Sequence, residues 1–152
     1  MPLYGDTLML SDNVKITPVL GYFAAGVTKR TSTIIDMDGF DGVVFVGILG
    51  TTLATGTVDM FVEQDVANAT TNMARLATTT VYTVPAEPAA LTSVQVDVYK
   101  PRERYLQANI TPAVANAVIC GMVAIQYKGH LCPVVADSTV VKTTKLISPA
   151  EV

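Results

Sequence analysis

A chain of 152 residues, half of them hydrophobic and only 15% charged, has the length of one domain and is too apolar to stay unfolded. The net charge of −3, with no Lys/Arg cluster beyond Lys29-Arg30 and residues 100–104, excludes nucleic acid as a main partner. The charged fraction falls below the rough quarter usual for a free monomer, so another chain is expected to cover part of the surface.

Residues 1–20 have no sustained period and contain Pro2, Gly5 and Pro18. They read as a disordered tail or, since their apolar content with Tyr4, Leu8, Leu10 and Ile16 is high for one, equally as an extended arm that lies on something. Residues 21–26 read as an irregular link, and the loose alternation from Val27 to Asp36 as one strand. Residues 38–42 carry two Asp/Gly pairs that punctuate a turn, and an unbroken apolar run rich in β-branched residues follows at 43–49. That run predicts a strand buried on both faces, the centre of the fold. After a small-residue loop at 51–56, residues 57–64 alternate: Val58, Met60 and Val62 point one way, Asp59, Phe61 and Glu63 the other. The two runs pair as a hairpin.

Residues 72–77 read as one or two helical turns, capped by Thr71 or Asn72. A short strand at 81–84 follows, then a strand at 92–99 stopped by Pro101, another at 104–110, and a turn at Thr111-Pro112. Residues 118–127 form a second run apolar on both faces, and Lys128-Gly129-His130 is a turn. Residues 133–152, with Val140 and Leu146, read as a second arm. The expected organisation is an N-terminal arm at 1–20, a β-sandwich at 21–132 and a C-terminal arm at 133–152. Six to eight short strands with almost no helix define an all-β sandwich or barrel. Two runs apolar on both faces imply that at least one sheet is covered outside by an arm or a partner.

The reactive residue types do not assemble into a site. A nucleophilic triad needs a histidine base, and the single histidine, His130, sits in a turn. His130 and Cys132 are two ligands where structural zinc wants four. Asp59, Glu63 and Asp65 form the acidic stripe that alternation places on the wet side of a strand. Asp36, Asp38 and Asp41 are spaced like a calcium loop, but the twelfth position is Gly47, so turn-capping is the better reading. No cofactor, metal or catalytic residue is expected. Cys120 and Cys132 read as free thiols, and a start without basic and apolar regions reads as lacking a signal peptide. No run is long enough to cross a bilayer as a helix. Arg102-Glu103-Arg104, beside Tyr99 and Tyr105, reads as an ion-pair network or a subunit contact.

Four stretches, in order, carry a family resemblance: Asp38-Gly-Phe-Asp-Gly-Val-Val-Phe-Val, Gly56-Thr-Val-Asp-Met-Phe-Val-Glu-Gln64, Val96-Asp-Val-Tyr-Lys-Pro-Arg-Glu-Arg-Tyr105 and Ala124-Ile-Gln-Tyr-Lys-Gly129. Over roughly residues 30–135 the chain resembles the small head decoration, or cement, proteins of tailed bacteriophages. The resemblance implies an antiparallel, jelly-roll-like β-sandwich that assembles as a homo-oligomer, a trimer in preference to a dimer. It also implies binding to the major capsid protein on the outer surface of the virion, after folding in the bacterial cytoplasm. The family carries no catalytic residues. Low charge, absent chemistry and apolar arms agree with that reading, and the subunit or capsid interface is expected at Tyr4, Leu8, Leu10, Ile16, Arg102, Arg104, Val140 and Leu146. The alternative is a carbohydrate- or receptor-binding sandwich of a fibre or tail, presenting Phe61, Tyr99 and Tyr105. The absence of Trp weakens it.

Overall fold

The computed structural model describes residues 9–76, 80–85 and 90–145. Two antiparallel sheets pack face to face as a β-sandwich. Eleven strands are described: β1 (Lys15–Leu20), β2 (Phe23–Gly26), β3 (Arg30–Thr31), β4 (Ile35–Asp36), β5 (Phe40–Thr52), β6 (Thr57–Asp65), β7 (Ala74–Arg75), β8 (Thr80–Thr83), β9 (Thr92–Tyr99), β10 (Tyr105–Ala113) and β11 (Ala117–Gly129). The first sheet runs β1-β11-β5-β9, with β2 also on β11. The second runs β3-β10-β6-β7, with β4 on β10 and β8 on β6. The helical content described is a single 3-10 turn, Leu10–Asp12.

The two continuous apolar runs became β5 and β11, the two longest strands, paired with each other in the middle of the first sheet. Alternation sends Val43, Phe45 and Leu49 of β5 inward, with Met122 and Ala124 of β11. They meet Val58, Met60 and Val62 of β6 and Leu106, Ala108 and Ile110 of β10 in one core. Gly47 lets the sheets close up: a Cβ there would lie 3.2 Å from Ile110 Cδ1 and 3.3 Å from Val94 Cγ2.

Val46 therefore lies on the outer face, opposite Val123 and Gln95, and only half-buried. The expectation that the whole 43–49 run is interior is corrected by the strand's own period: every second residue faces out. The hairpin of β5 and β6 is corrected too, because consecutive strands here cross between sheets.

Other expectations change where tertiary contacts outweigh local pattern. The segment read as a link and part of the N-terminal arm contributes β1 and β2 to the first sheet, so the folded body begins before Gly21. The strand read across 27–36 is two short strands on either side of Ser32. There the Ser32 hydroxyl accepts from the Ala108 backbone N–H (3.0 Å), filling a gap in the ladder with β10. Residues 74–75 pair with β6 instead of forming a helix, since a turn or two of helix is too short to hold without packing; Ala77 lies outside the described residues. Pro112 does not turn the chain but lies within β10 opposite Val58, beyond the reach of β3, where its missing N–H costs no ladder bond.

Candidate functional site

One end of the sandwich gathers three connections: the turn between β4 and β5, the loop between β9 and β10, and the chain leaving β11. Gly39 shapes the first, with φ of 83°, a conformation glycine adopts without strain. The Asp38 N–H donates to Asp36 Oδ1 (3.0 Å), the Asx capping expected of this Asp/Gly cluster. Arg104 braces the turn from outside with a two-pronged contact, Nε to Asp36 Oδ1 at 2.7 Å and a terminal nitrogen to Oδ2 at 2.8 Å. The same guanidinium reaches Asp38 at 3.3 Å. This hydrogen bonding holds the Asp36 carboxyl below its ordinary pKa and raises that of Arg104. From inside, the buried Gln126 donates to the Asp36 carbonyl at 2.8 Å. Further backbone bonds run from Lys100 N–H to Asp41 O (2.7 Å) and from His130 N–H to Gly39 O (2.8 Å).

Arg102, Glu103 and Arg104 line a cleft of about 450 Å³ in this end, with His130 and Asp41 across it. His130 Nε2 lies 2.9 Å from Asp41 Oδ1, and that contact lowers the Asp41 pKa. The cleft adjoins a second hollow of about 510 Å³, which shares Asp38, Gly39, Phe40 and His130 with it and is walled by residues 133–135. That hollow in turn shares Pro133, Val134 and Val135 with a third, mostly apolar groove of about 360 Å³. The third groove lies between the 3-10 turn with β1 on one side and residues 133–145 on the other, and Ile16 and Val140 line it.

The C-terminal segment is thus laid back along the start of the chain. The Val134 N–H donates to Asp12 O (2.8 Å), Lys15 pairs with Asp137 at 3.4 Å, and Lys145 with Asp12. Thr139 caps Asp137, which lowers the Asp137 pKa. Sequence reading missed the pairing of the two ends; Asp12 and Asp137, each in an apolar stretch with a lysine elsewhere, were its faint signal.

The structure brings four of the expected interface residues onto one continuous track: Ile16 and Val140 at the apolar end, Arg102 and Arg104 at the charged end. Leu10 stands 70% exposed on the 3-10 turn. Tyr4, Leu8 and Leu146 lie outside the described residues.

The aromatic candidates separate. Phe61 is 7% exposed on the outer face of the second sheet, stacked by Arg75 at 3.8 Å and approached by Lys29 at 5.4 Å, with Arg75 also paired to Asp59. Tyr105 is half-buried, with Arg104 5.3 Å away. Tyr99 is 51% exposed between Lys100 and Lys128, 5.4 and 4.9 Å from its ring.

The outer face of the first sheet is of another character. Cross-strand rows join Ile16, Ile125 and Val44, then Pro18, Val123 and Val46, with Ile48, Gly50, Val118 and Cys120 beyond. These positions carry no charge, and no described strand packs over them. β9 supplies a polar border on one side, through Ser93, Gln95 and Asp97, and the groove at Ile16 brings Asp12 and Lys145 to the other.

The chain is an antiparallel β-sandwich. No family model matches it and no curated protein does. Among solved structures it is similar to the PBSX exported protein XepA, at 21% identity and a TM-score of 0.46 over 95% of this chain and 46% of that one. It is also similar to a protein described as "CBM4 structure and function", at 8% identity and a TM-score of 0.43 over 80% of this chain and 91% of that one.

Proposed function

We propose that this protein is a structural component of a bacteriophage particle, a decoration or cement protein that binds major capsid subunits and reinforces the head. The observation that carries the reading is the continuous track from the groove at Ile16 and Val140 to the cleft at Arg102 and Arg104. An apolar stretch bordered by arginine-bearing polar ground is the anatomy of a protein-binding surface. The ordered sequence resemblance supplies the particle. Three adjoining hollows in a row suit an extended segment of a capsid subunit. Among the described residues Arg102 has no ion-pair partner and can meet a carboxylate of another chain, while Arg104 is held by Asp36 as part of the frame.

Co-sedimentation of the purified chain with heads of the phage that encodes it tests this reading. The protein is expected in the pellet, and Val140→Asp with Arg102→Glu is expected to return it to the supernatant. Wild-type protein that stays in the supernatant at every ratio contradicts the proposal. The second reading, a carbohydrate- or receptor-binding module, draws on the exposed Tyr99. Saturable binding on a glycan array that is lost in Tyr99→Ala would favour it.

A further inference from the structure

At the end of the sandwich that holds the charged cleft, the outer face of the first sheet carries a row of three residues: Tyr99 on β9, Gly42 on β5 and Tyr127 on β11. The glycine leaves room for Tyr127 to cross the middle strand and donate to Asp97 Oδ1 at 2.6 Å. Two ammonium groups flank the exposed ring of Tyr99, Lys100 at 5.4 Å and Lys128 at 4.9 Å, and Lys128 Nζ also lies 3.5 Å from the Tyr99 hydroxyl. Both lysines hold a left-handed backbone, with φ of 51° and 50°, which is uncommon for residues other than glycine. Such outliers gather at binding sites, and these two bring their charges to one ring. Among the described residues neither lysine forms an ion pair. Asp41, which lines a hollow with each of them, is held by His130.

We infer that this corner binds an acidic sugar, a ring bearing hydroxyls and a carboxylate. Three chemistries meet here. The tyrosine rings offer amphipathic aromatic surface to the apolar face of a sugar. The two ammonium groups pair with its carboxylate by charge-assisted hydrogen bonds. Asp97, an acceptor only, takes its hydroxyls. The combination selects among ligands. An acidic peptide or inorganic phosphate would satisfy the lysines but set its own charge against Asp97. A neutral sugar would satisfy Asp97 and leave both lysines unused. Of these residues only Lys100 also lines the cleft, so a chain docked through the track from Ile16 to Arg102 can still present the corner. This ligand class rests on the carbohydrate-binding reading and goes beyond it.

A glycan array carrying carboxylate-bearing and neutral sugars, probed with the full chain and followed by titration of the hits, tests it. Carboxylate-bearing sugars are expected to bind, more weakly as salt rises, and roughly ten-fold more tightly than their own methyl esters. That comparison needs no variant. Lys100→Gln with Lys128→Gln should remove the preference for the acid, and Lys29→Gln, at the second sheet, should leave binding unchanged. Asp97→Asn removes a negative charge yet should weaken binding roughly three-fold, because an acceptor for hydroxyls is lost. Equal binding of acids and their esters, or hits confined to neutral sugars, would overturn the inference and leave the carbohydrate-binding reading standing. An array without hits would overturn both. Poly-glutamate bound as tightly as the sugars, or tighter binding by Asp97→Asn, would reveal a plain anion site and overturn the inference as well.

Discussion

The side chain of Tyr127 lies against the backbone of Gly42, its neighbour across β5 and β11, so closely that a Cβ at 42 would fall within 3.0 Å of two ring carbons and the phenol oxygen. The phenol oxygen then donates to Asp97 Oδ1 at 2.6 Å, one strand further on. A glycine in the middle of a strand thereby seats a tyrosine that ties three strands together. Gly42→Ala should displace the ring and break the bond to Asp97, costing about 1–3 kcal/mol as overpacking does. Chemical denaturation should show that loss. Tyr127→Phe, which keeps the ring seated, should lose less.

Burial, and then the bond to Asp97, push the Tyr127 pKa up to about 12. A group whose folded value is raised gives stability that is whole below its unfolded value, about 10, and is lost as pH climbs from there through the folded value. Ultraviolet titration of tyrosinate should show a late-titrating component that is absent in Tyr127→Phe.

Asp36 behaves in the opposite sense. Its depressed pKa means that the stabilisation from Arg104 is present above the unfolded carboxylate value, about 3.9, and is lost as pH falls through the lower folded value. Arg104→Gln should leave the strands intact, lower neutral-pH stability slightly and flatten the acid limb of the stability profile. Thermal melts at stepped pH, repeated in high salt to screen the exposed pair, check this.

Inside and outside of β5 should respond differently. Phe45→Asp places a carboxylate at a fully buried position and should abolish soluble folding. Val46→Asp, one residue on, faces outward and should cost about 1 kcal/mol or less. Soluble yield and denaturant midpoints of the two variants separate the faces.

Ending the chain after Val135 removes the pairs Lys15–Asp137 and Lys145–Asp12. Surface pairs contribute about 0–1 kcal/mol each, and the carboxylates here are partly covered, so the body should stay folded and melt only a few degrees lower. The apolar groove at Ile16 should open, which increased binding of a fluorescent apolar dye would report.

The two-sheet architecture was legible because β5, β6, β9 and β11 announce themselves by alternation or by runs of Val and Ile bounded by glycine. What escaped was set by distant partners. Which face of β5 is interior cannot be read from a run in which both faces are apolar, and register resolves it only once β11 is alongside. The two-residue strands β3, β4 and β7 exist because β10 and β6 offer them ladder bonds, and no local pattern of that length signals a strand. Ile16, Val140, Arg102 and Arg104 were legible as interface candidates one by one. Their placement along one track depends on the chain after β11 folding back onto the Asp12 turn, a contact between residues more than a hundred positions apart.

The proposed role as a phage head protein is tested most directly by electron cryo-microscopy of heads from a phage that carries this gene. The account predicts sandwich-shaped density on the outer surface of the shell, with the track between Ile16 and Arg102 turned toward a capsid subunit. Fully occupied heads whose outer surface carries no such density, or sandwich density seated with that track facing solvent, would contradict it.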